Sequence, residues 1–360
     1  MEKRVIFHIP LSLDPQHASA SNIRPAKLLE AFKQCGYEVD FVGGNAAERE
    51  RKIKEVKKQI LSGVRYDFLY SESSTMPTLL TESHHFPTHP TLDFSFMSFC
   101  KRKGIPIGLF YRDIHWRYIN KNNGFKQRVA KYFYRYDLRC YEKLLDVLFV
   151  PSYDMFHHIP FNFHQKVVEL PAGCDIHNVK PHAYDGQLKL LYIGGIGGNY
   201  DLRTFLKAVA LCPCVSLTLC CREDDWLHVS DAYAPLLTNN IKLVHKQSED
   251  LPELYSQSDL FAIFLSTGEY IKFAAPFKLF DTIGYGMPLF SQDNCWTGKF
   301  VKNNHIGIVC ESTVEKIKAS LDAIVDDPSC LIVYRDNTKK IAISNTWAAR
   351  VNQIANALCK

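Results

Sequence analysis

A cluster of four glycines follows a strand-like segment in the second half of this 360-residue chain. The four are Gly194, Gly195, Gly197 and Gly198. A glycine-rich turn between a strand and a helix lets backbone N–H groups approach a phosphate, and the N-terminus of the helix adds partial positive charge. A tight turn with close helix packing is the alternative interpretation. A dinucleotide fingerprint is disfavoured, because counting from Gly195 the third glycine position holds Tyr200.

A lysine and an aspartate three residues apart form a second candidate site. Lys278 and Asp281 follow Pro276, and the apolar Leu279 and Ile283 can anchor a short helix there. A nucleotide sugar requires a cation for its diphosphate and a carboxylate that accepts from the ribose hydroxyls, and these two residues have the right chemistry. A surface ion pair of about 0.2–0.5 kcal/mol is the structural alternative.

Three titratable residues follow a strand-like segment at 107–110 in the first half of the chain. They are Arg112, Asp113 and His115. A lone histidine is more often structural than catalytic, but a group of titratable residues at a strand end favours a functional role. We therefore take Asp113 and His115 as candidate catalytic residues.

Two α/β series must position these residues. Strands are predicted at 5–9, 38–42, 68–71, 107–110 and 147–150, and again at 188–193, 216–220, 241–244, 260–264 and 288–291, with helices between them. This rhythm predicts domains at 1–178 and 179–343 and a closing helix at 344–360 that packs back on the first domain. Open α/β sheets bind ligands at the carboxyl ends of their strands, where the candidate residues lie.

Composition excludes several classes of protein. The formal net charge is only +5, which argues against a dedicated nucleic-acid binder. The twelve cysteines show no CxxC spacing that would suit zinc. No apolar run approaches the roughly twenty residues of a membrane span, and the first residues do not resemble a signal peptide. These features predict a cytoplasmic protein.

A stretch rich in basic and aromatic residues, at 117–143, bears on where in the cell the protein acts. The spacing of Arg128, Lys131, Arg135 and Arg139 keeps a basic stripe on one side of a helix. Such a stripe suits anionic lipid headgroups, where each basic residue contributes about 1 kcal/mol. A solvated helix face is the equally weighted alternative, and nucleic acid is disfavoured.

The segment Pro276-x-Lys278-x-x-Asp281, followed by Gly286-x-Pro288, resembles the P-x-K-x-x-E…G-x-P segment of glycosyltransferase family 4. Ile23-Arg24 and the stretch 36–39 resemble that family's first helix and second strand. Residues 194–201 resemble its glycine turn, and residues 344–347 resemble the entry to its closing helix. The resemblance covers most of the chain.

This resemblance implies a GT-B fold, in which two Rossmann-like domains face each other across a cleft. It also implies a retaining transfer of a hexosyl group (EC 2.4) from a nucleotide-diphosphate donor, without a metal or another cofactor. Asp281 would contact the ribose, Glu269 would match the family's first carboxylate, and His115 would contact the reacting sugar. The family's Arg and Lys after the glycine turn have no counterpart here, so Lys278, Arg222 and Lys272 are candidates for the diphosphate cation.

The function predicted from sequence is therefore a glycosyltransferase that extends a cell-surface polysaccharide on a glycan or lipid-linked acceptor at the inner membrane face. Two alternatives remain. A GT-B sugar-nucleotide 2-epimerase would bind the same donor and need no acceptor. A non-catalytic member of the family would bind a sugar nucleotide without turnover.

Overall fold

The structure, a computed structural model, describes residues 3–13, 20–118, 124–265 and 268–359. The chain divides into two compact units. The first comprises residues 1–173 and 347–360, and the second comprises residues 174–346. Each contains one six-stranded parallel sheet with helices beside it.

The sheet of the first unit has the strand order β2-β1-β3-β4-β5-β6, and all of its pairs are parallel. Its strands are β1 (Lys3–His8), β2 (Tyr37–Val42), β3 (Phe68–Glu72), β4 (Ile107–Phe110), β5 (Val147–Val150) and β6 (Lys166–Glu169). Its helices are α1 (Ala20–Gln34), α2 (Ala46–Leu61), α3 (Leu92–Arg102), α4 (Phe125–Leu144), α5 (Tyr153–His157) and the last helix of the chain, Trp347–Leu358. That last helix packs on α1.

The sheet of the second unit has the order β12-β11-β10-β7-β8-β9 and is also parallel. Its strands are β7 (Leu188–Ile193), β8 (Val215–Cys220), β9 (Ile241–Val244), β10 (Leu260–Ile263), β11 (Leu289–Gln292) and β12 (Gly307–Cys310). The helices are α6 (Arg203–Ala210), α7 (Glu223–Leu227), α8 (Ser230–Tyr233), α9 (Leu251–Ser256), α10 (Glu269–Lys272), α11 (Phe277–Gly284), α12 (Trp296–Asn303), α13 (Val314–Asp326) and α14 (Cys330–Ser344), so that Trp347–Leu358 is α15.

Burial explains why these segments become strands. Every residue of β3, β4, β5, β10 and β11 is buried, as expected for a parallel sheet covered on both faces by helices. Large aromatic side chains fill much of the core: Phe7, Phe32 and Phe68 are fully buried in the first unit, and Phe205 and Phe261 in the second. Burying such a side chain contributes about 1.5–3 kcal/mol.

Each of the ten predicted strands overlaps an observed strand, and two observed strands were not predicted. The two are β6 and β12, which form one edge of each sheet. Neither contains a fully buried residue. β6 has only two apolar residues between Lys166 and Glu169, whereas β12 carries an apolar run at 308–310 that does indicate a strand. No helix in the described part of the chain is both long and apolar enough to cross a lipid bilayer.

Candidate functional site

The glycine turn, residues 194–201, connects β7 to α6. Gly194, Gly197 and Gly198 have φ angles of +152°, +84° and +56°, which residues with a side chain rarely adopt. The N–H of Gly197 donates to the carbonyl of Tyr200 at 3.0 Å, and the N–H of Tyr200 donates back at 2.9 Å. The glycines are therefore required by the backbone path, which folds the turn into a narrow loop at the carboxyl end of β7.

The side chain of Lys278 lies against this turn. A β-carbon built on Gly194 would be 2.6 Å from the lysine Nζ, so the ammonium in its present position requires a residue without a side chain there. The ammonium donates to the hydroxyl of Tyr192 at 3.1 Å, and that hydroxyl donates to the carbonyl of Gly195 at 2.5 Å. The ring centroids of Tyr192 and Tyr200 are 4.4 and 4.7 Å from Nζ. The fold thus brings two predicted site segments, 86 residues apart in sequence, into contact.

The side chains in contact with Lys278 carry no formal charge. Burial lowers the pKa of this lysine to about 7. Within residues 268–359 and the other described ranges, Lys278 forms no ion pair. Its charge is consequently not neutralised by the protein.

Two carboxylates near the turn are each paired with an arginine. Asp201 accepts from Arg203 at 2.6 Å, and that hydrogen bond lowers the pKa of Asp201 to about 2. Asp225 pairs with Arg222 at 3.0 Å. Arg222 lies at the carboxyl end of β8, as the sequence predicts, but its side chain is 71% exposed and engaged with Asp225. Its role as a diphosphate cation stays a prediction.

Asp281 lies one turn after Lys278 on α11 and is partly buried. It interacts electrostatically with Tyr255 and Tyr285, and its negative charge helps to raise the pKa of both hydroxyls, after burial. The rings of these tyrosines stack at 3.7 Å, and His177 stacks on the other face of Tyr285 at 3.9 Å. Asp281 therefore lies at the edge of an aromatic stack.

Glu269 and Lys272 form an exposed pair within the short helix α10. Their side chains are 62% and 53% exposed, so both lie largely in solvent, and their roles in donor binding stay predictions. No group of three or more His, Cys, Asp or Glu side chains in the described part of the chain is placed to hold a metal ion.

In the first unit, the carboxyl end of β3 carries a buried carboxylate between two arginines. Glu72 is fully buried and accepts from Arg24 at 3.1 Å and from Arg112 at 2.9 Å. The guanidinium of Arg24 also lies 3.6 Å from the ring centroid of Phe110. Burial lowers the pKa of Arg112, although it remains protonated. This network fixes the loop that carries the predicted residues Asp113 and His115.

His115 begins a short 3-10 turn after β4 and remains partly exposed. Its backbone N–H donates to the carboxylate of Asp113 at 2.9 Å, and its Nδ1 is 3.7 Å from the second oxygen. The ring of Tyr134 in α4 meets His115 edge-on at 6.2 Å and stacks on Trp116 at 5.0 Å. The structure thus brings Asp113 and His115 together and places an α4 side chain against them.

A Ser–His–Asp chain occurs nearby but is completely enclosed. Ser71 and Asp93 lie 2.8 and 2.9 Å from the two ring nitrogens of His8, and Arg49 donates to Asp93 at 2.9 Å. All four side chains are at most 3% exposed. Since no substrate can reach Ser71, the chain is a structural network that ties β1 and β3 to α2 and α3.

Helix α4 presents its basic residues to solvent in one stripe. Arg128, Tyr132, Arg135, Arg139 and Lys143 are exposed and recur at the spacing of one helix face. Lys131 is partly buried. Residues 119–123, including Lys121, lie outside the described residues, as does the side chain of Lys126. The buried side of the helix carries Tyr134, Asp137 and Tyr141.

Four residues of these sites were not predicted from the sequence. They are the two tyrosines that contact Lys278, Tyr192 and Tyr200, and in the first unit Glu72 and Tyr134. Tyr200 was noted only as the residue that interrupts a glycine fingerprint. A tyrosine two residues before the glycine turn and another within it, opposite a lysine-containing motif, were the available signal.

No protein-family model matches the chain, and no curated protein matches it significantly in sequence. Solved structures do match it. A structure of Alr3699/HepE from Anabaena in complex with UDP-glucose superposes with a TM-score of 0.63 at 13% identity, covering 99% of both chains. WaaG, a glycosyltransferase involved in lipopolysaccharide biosynthesis, has a TM-score of 0.60 at 13% identity and covers 98% of this chain and 99% of that chain. The chain has the GT-B fold.

A Listeria monocytogenes protein, named provisionally as a UDP-N-acetylglucosamine 2-epimerase, also matches. Its TM-score is 0.54 at 11% identity, with 99% of this chain and 96% of that chain covered. Likeness at this level of identity establishes the GT-B fold alone, because one fold supports many activities. Function has to be argued from the site.

Proposed function

We propose that the chain is a glycosyltransferase that takes a hexosyl group from a nucleotide-diphosphate donor. The observation that carries this proposal is the ammonium of Lys278, which lies against the glycine turn without a carboxylate partner in the described structure. A cation at a glycine-rich strand end is the arrangement that a diphosphate requires.

The second unit supplies a further set of donors for the diphosphate. Lys278 is the second residue of helix α11, whose N-cap residue Pro276 provides no side-chain hydrogen bond. The first N–H groups of α11 and the backbone of the glycine turn can therefore point to phosphate oxygens. Together with Lys278 they would stabilise the charge that grows on the leaving diphosphate. The proposal assigns this task to Lys278 and the backbone, without a metal.

Asp281 is proposed to accept from the ribose hydroxyls of the donor. Its carboxylate is one helical turn from Lys278, at the edge of the stack formed by Tyr255 and Tyr285. Arg222 and Glu269 stay secondary candidates, because each is exposed and has an ion-pair partner of its own in the structure.

The carboxyl edge of the first sheet is the proposed acceptor side. His115 is partly exposed and oriented by Asp113 and Tyr134. We propose that His115 contacts the transferred sugar and that the leaving diphosphate accepts the acceptor proton, which gives retention at the anomeric carbon. Asp113 acts by orienting His115.

The exposed stripe of α4 is proposed to bind anionic lipid. Three arginines and a lysine share this face with Tyr132, which is 64% exposed, and the stripe contains no acidic residue. The four cations form no ion pair among the described residues. Such a surface complements an anionic headgroup layer, consistent with a lipid-linked acceptor for cell-surface polysaccharide at the inner membrane face.

The structural match to the Listeria protein supports a second candidate function, a sugar-nucleotide 2-epimerase. It predicts that a UDP-sugar is converted to its epimer without any acceptor. A glycosyltransferase instead releases the nucleoside diphosphate and does so faster when its acceptor is present.

The first step of the test measures the thermal stability of the purified protein in the presence of UDP-, GDP-, ADP- and dTDP-sugars, one at a time. A ligand at one hundred times its dissociation constant adds about 2.7 kcal/mol to stability. The stabilising donor is then incubated with lipid-linked and free glycans, with and without EDTA, and nucleoside diphosphate release is followed. Release that depends on an acceptor and resists EDTA supports the proposal. Stabilisation with no turnover would support a non-catalytic protein, and a new sugar nucleotide without acceptor would support an epimerase.

A further inference from the structure

The position of Lys278 raises the question of what holds a partly buried ammonium without an acidic partner. A buried charge is normally paired with an opposite charge, because desolvation alone costs several kcal/mol. Here the contacts are the hydroxyl of Tyr192 at 3.1 Å and the faces of two tyrosine rings at 4.4 and 4.7 Å. We call Tyr192 and Tyr200 the tyrosine pair.

We propose that Tyr200 is a positioning residue for Lys278: with Tyr192 it holds the ammonium at the glycine turn in place of a carboxylate, which leaves the lysine charge available to a diphosphate. This inference rests on the proposed function, in which Lys278 binds the donor.

The glycine turn itself places the ring of Tyr200. The reciprocal hydrogen bonds between Gly197 and Tyr200, at 3.0 and 2.9 Å, fix the backbone of the tyrosine. Its ring then lies over Gly195, where a β-carbon would be 3.3 Å from ring carbon Cδ2. The ring is thus confined between the backbone of the turn and the ammonium of Lys278. Gly195 has a packing role here in addition to any contact with phosphate.

The hydroxyl of Tyr192 can only accept from Lys278. A tyrosine hydroxyl has one proton, and in Tyr192 that proton is donated to the carbonyl of Gly195. Burial raises the pKa of Tyr192 well above its ordinary value, so it remains neutral. The tyrosine pair therefore offers Lys278 a lone pair and two π faces, but no formal charge.

The nearby acids do not replace the tyrosine pair, since both are paired with their own arginines. Asp201 is bound by Arg203, and Asp225 is bound by Arg222. The other titratable groups facing this region are neutral near pH 7: burial raises the pKa of Tyr233, and it raises the pKa of Cys221 to about 11. Lys278 is consequently the one cation in contact with the described turn that lacks a protein anion.

The contact between Lys278 and the tyrosine pair is weaker than an ion pair, and this favours diphosphate binding. A cation–π contact holds an ammonium with roughly 0.5–2 kcal/mol, whereas a buried carboxylate would neutralise it and repel an incoming phosphate. The tyrosine pair can thus orient Lys278 and still let the diphosphate provide the first full countercharge.

The experiment compares Y200F, Y200L and the control Y334L in the full-length chain. Phe retains the ring face, Leu retains apolar bulk without it, and Tyr334 is a partly buried tyrosine of α14 outside the turn. The titration of Lys278 is followed by NMR of isotope-labelled lysine, with K278M used to assign the signal. Binding of UDP is measured by calorimetry at pH 6 and pH 8.

We expect wild type, Y200F and Y334L to share one lysine titration near pH 7. In Y200L the titration should move to lower pH, because the π face that favours the charged amine is lost. Affinity of Y200L for UDP should fall about 3- to 10-fold at pH 8, where binding must protonate Lys278, and less at pH 6. Y200F should stay within about twofold of wild type.

An unchanged Lys278 titration in Y200L would overturn the inference, whether or not UDP binds. If the titration moves as expected but wild type binds no nucleotide, the positioning role stands and the proposed function fails. If Y200L and Y334L change the titration equally, the effect is general destabilisation and the inference is wrong.

Discussion

The ammonium of Lys278 lies so close to Gly194 that a β-carbon at residue 194 would come within 2.6 Å of it. The lysine belongs to α11 and the glycine follows β7, so a side chain at residue 194 would displace the ammonium from the turn. Since φ at Gly194 is +152°, any other residue would also strain the backbone.

Replacing Lys278 by Met should weaken nucleotide binding by about 1.5–3 kcal/mol, the usual contribution of a hydrogen bond to a charged group. The pKa of this lysine is about 7 in the free protein because of burial, and a bound diphosphate must raise it. Binding at pH 8 should therefore take up a proton, and affinity should decrease as the pH rises above 7. Calorimetry of UDP binding in two buffers of different ionisation enthalpy measures this uptake.

The matched control for K278M is K272M, since Lys272 lies on the neighbouring helix α10 and is exposed. K272M should bind UDP with the wild-type proton uptake. Equal uptake in K278M and wild type would show that another group is protonated.

Replacing Asp281 by Asn should weaken donor binding by about 1–3 kcal/mol, because the ribose hydroxyls lose a charged acceptor. The variant keeps the size of the side chain beside Tyr255 and Tyr285, so stability should change little. The loss should be larger for UDP than for its 2′-deoxy analogue. A variant that unfolds, or that binds both nucleotides as wild type does, would instead indicate a structural role.

Replacing Arg128, Arg135 and Arg139 by Ser should abolish sedimentation with phosphatidylglycerol vesicles. Each basic residue at an anionic surface contributes about 1 kcal/mol, so the triple variant should lose more than a hundredfold in affinity. Wild-type binding should also weaken with salt, because the Debye length falls from about 10 Å at 0.1 M to about 3 Å at 1 M.

The control for the arginine variant replaces Arg51, Lys54 and Lys58, three exposed cations of α2, by Ser. This change removes the same charge from a different helix of the same unit. If both variants lose vesicle binding equally, net charge rather than the stripe of α4 is responsible.

Replacing Asp93 by Asn should destabilise the chain by up to about 3–5 kcal/mol, because the buried Arg49 would lose its main countercharge and keep only Glu82, at 3.5 Å. Burial by itself raises the pKa of Asp93, but hydrogen bonds and charge from His8 and Arg49 hold it below its usual value. The stabilisation is therefore present above the ordinary aspartate pKa of about 4 and is lost as the pH falls through the lower folded value. In urea unfolding, the difference between wild type and D93N should shrink on acidification, whereas exposed Glu55→Gln should change stability by less than about 0.5 kcal/mol.

The central strands of both sheets were predictable because they are buried on both faces and read as continuous apolar runs. Helix α15, Trp347–Leu358, lies within the closing helix predicted at 344–360. Strand β6 was missed because only two apolar residues lie between its charged ends, whereas the apolar run of β12 at 308–310 was visible in the sequence and was overlooked. Partial burial alone does not explain the omissions, since the partly buried edge strands β2 and β9 were predicted.

In the candidate site, too, some features were predictable from the sequence and others were not. Lys278 and the glycine turn were predicted because each belongs to a short segment of typical composition. The contact of Lys278 with Tyr192 was not, since it depends on the packing of elements 86 residues apart. The pairing of Arg222 with Asp225 is different: an arginine and a carboxylate three residues apart on one helix start are visible in the sequence and favour an internal ion pair.

The second unit is an insertion within the first. Residues 174–346 form one continuous compact unit, and its two ends are bridged to each other, since the N–H of Cys174 donates to the carbonyl of Asn345 at 2.9 Å and Cys174 pairs with Thr346. The chain therefore leaves the first unit and re-enters it through neighbouring points. Shortening the protein from its C-terminus would remove α15, and with it a packing partner of α1, from the unit that begins the chain. Damage from such a truncation should consequently appear in the first unit, although the deleted residues follow the second in sequence.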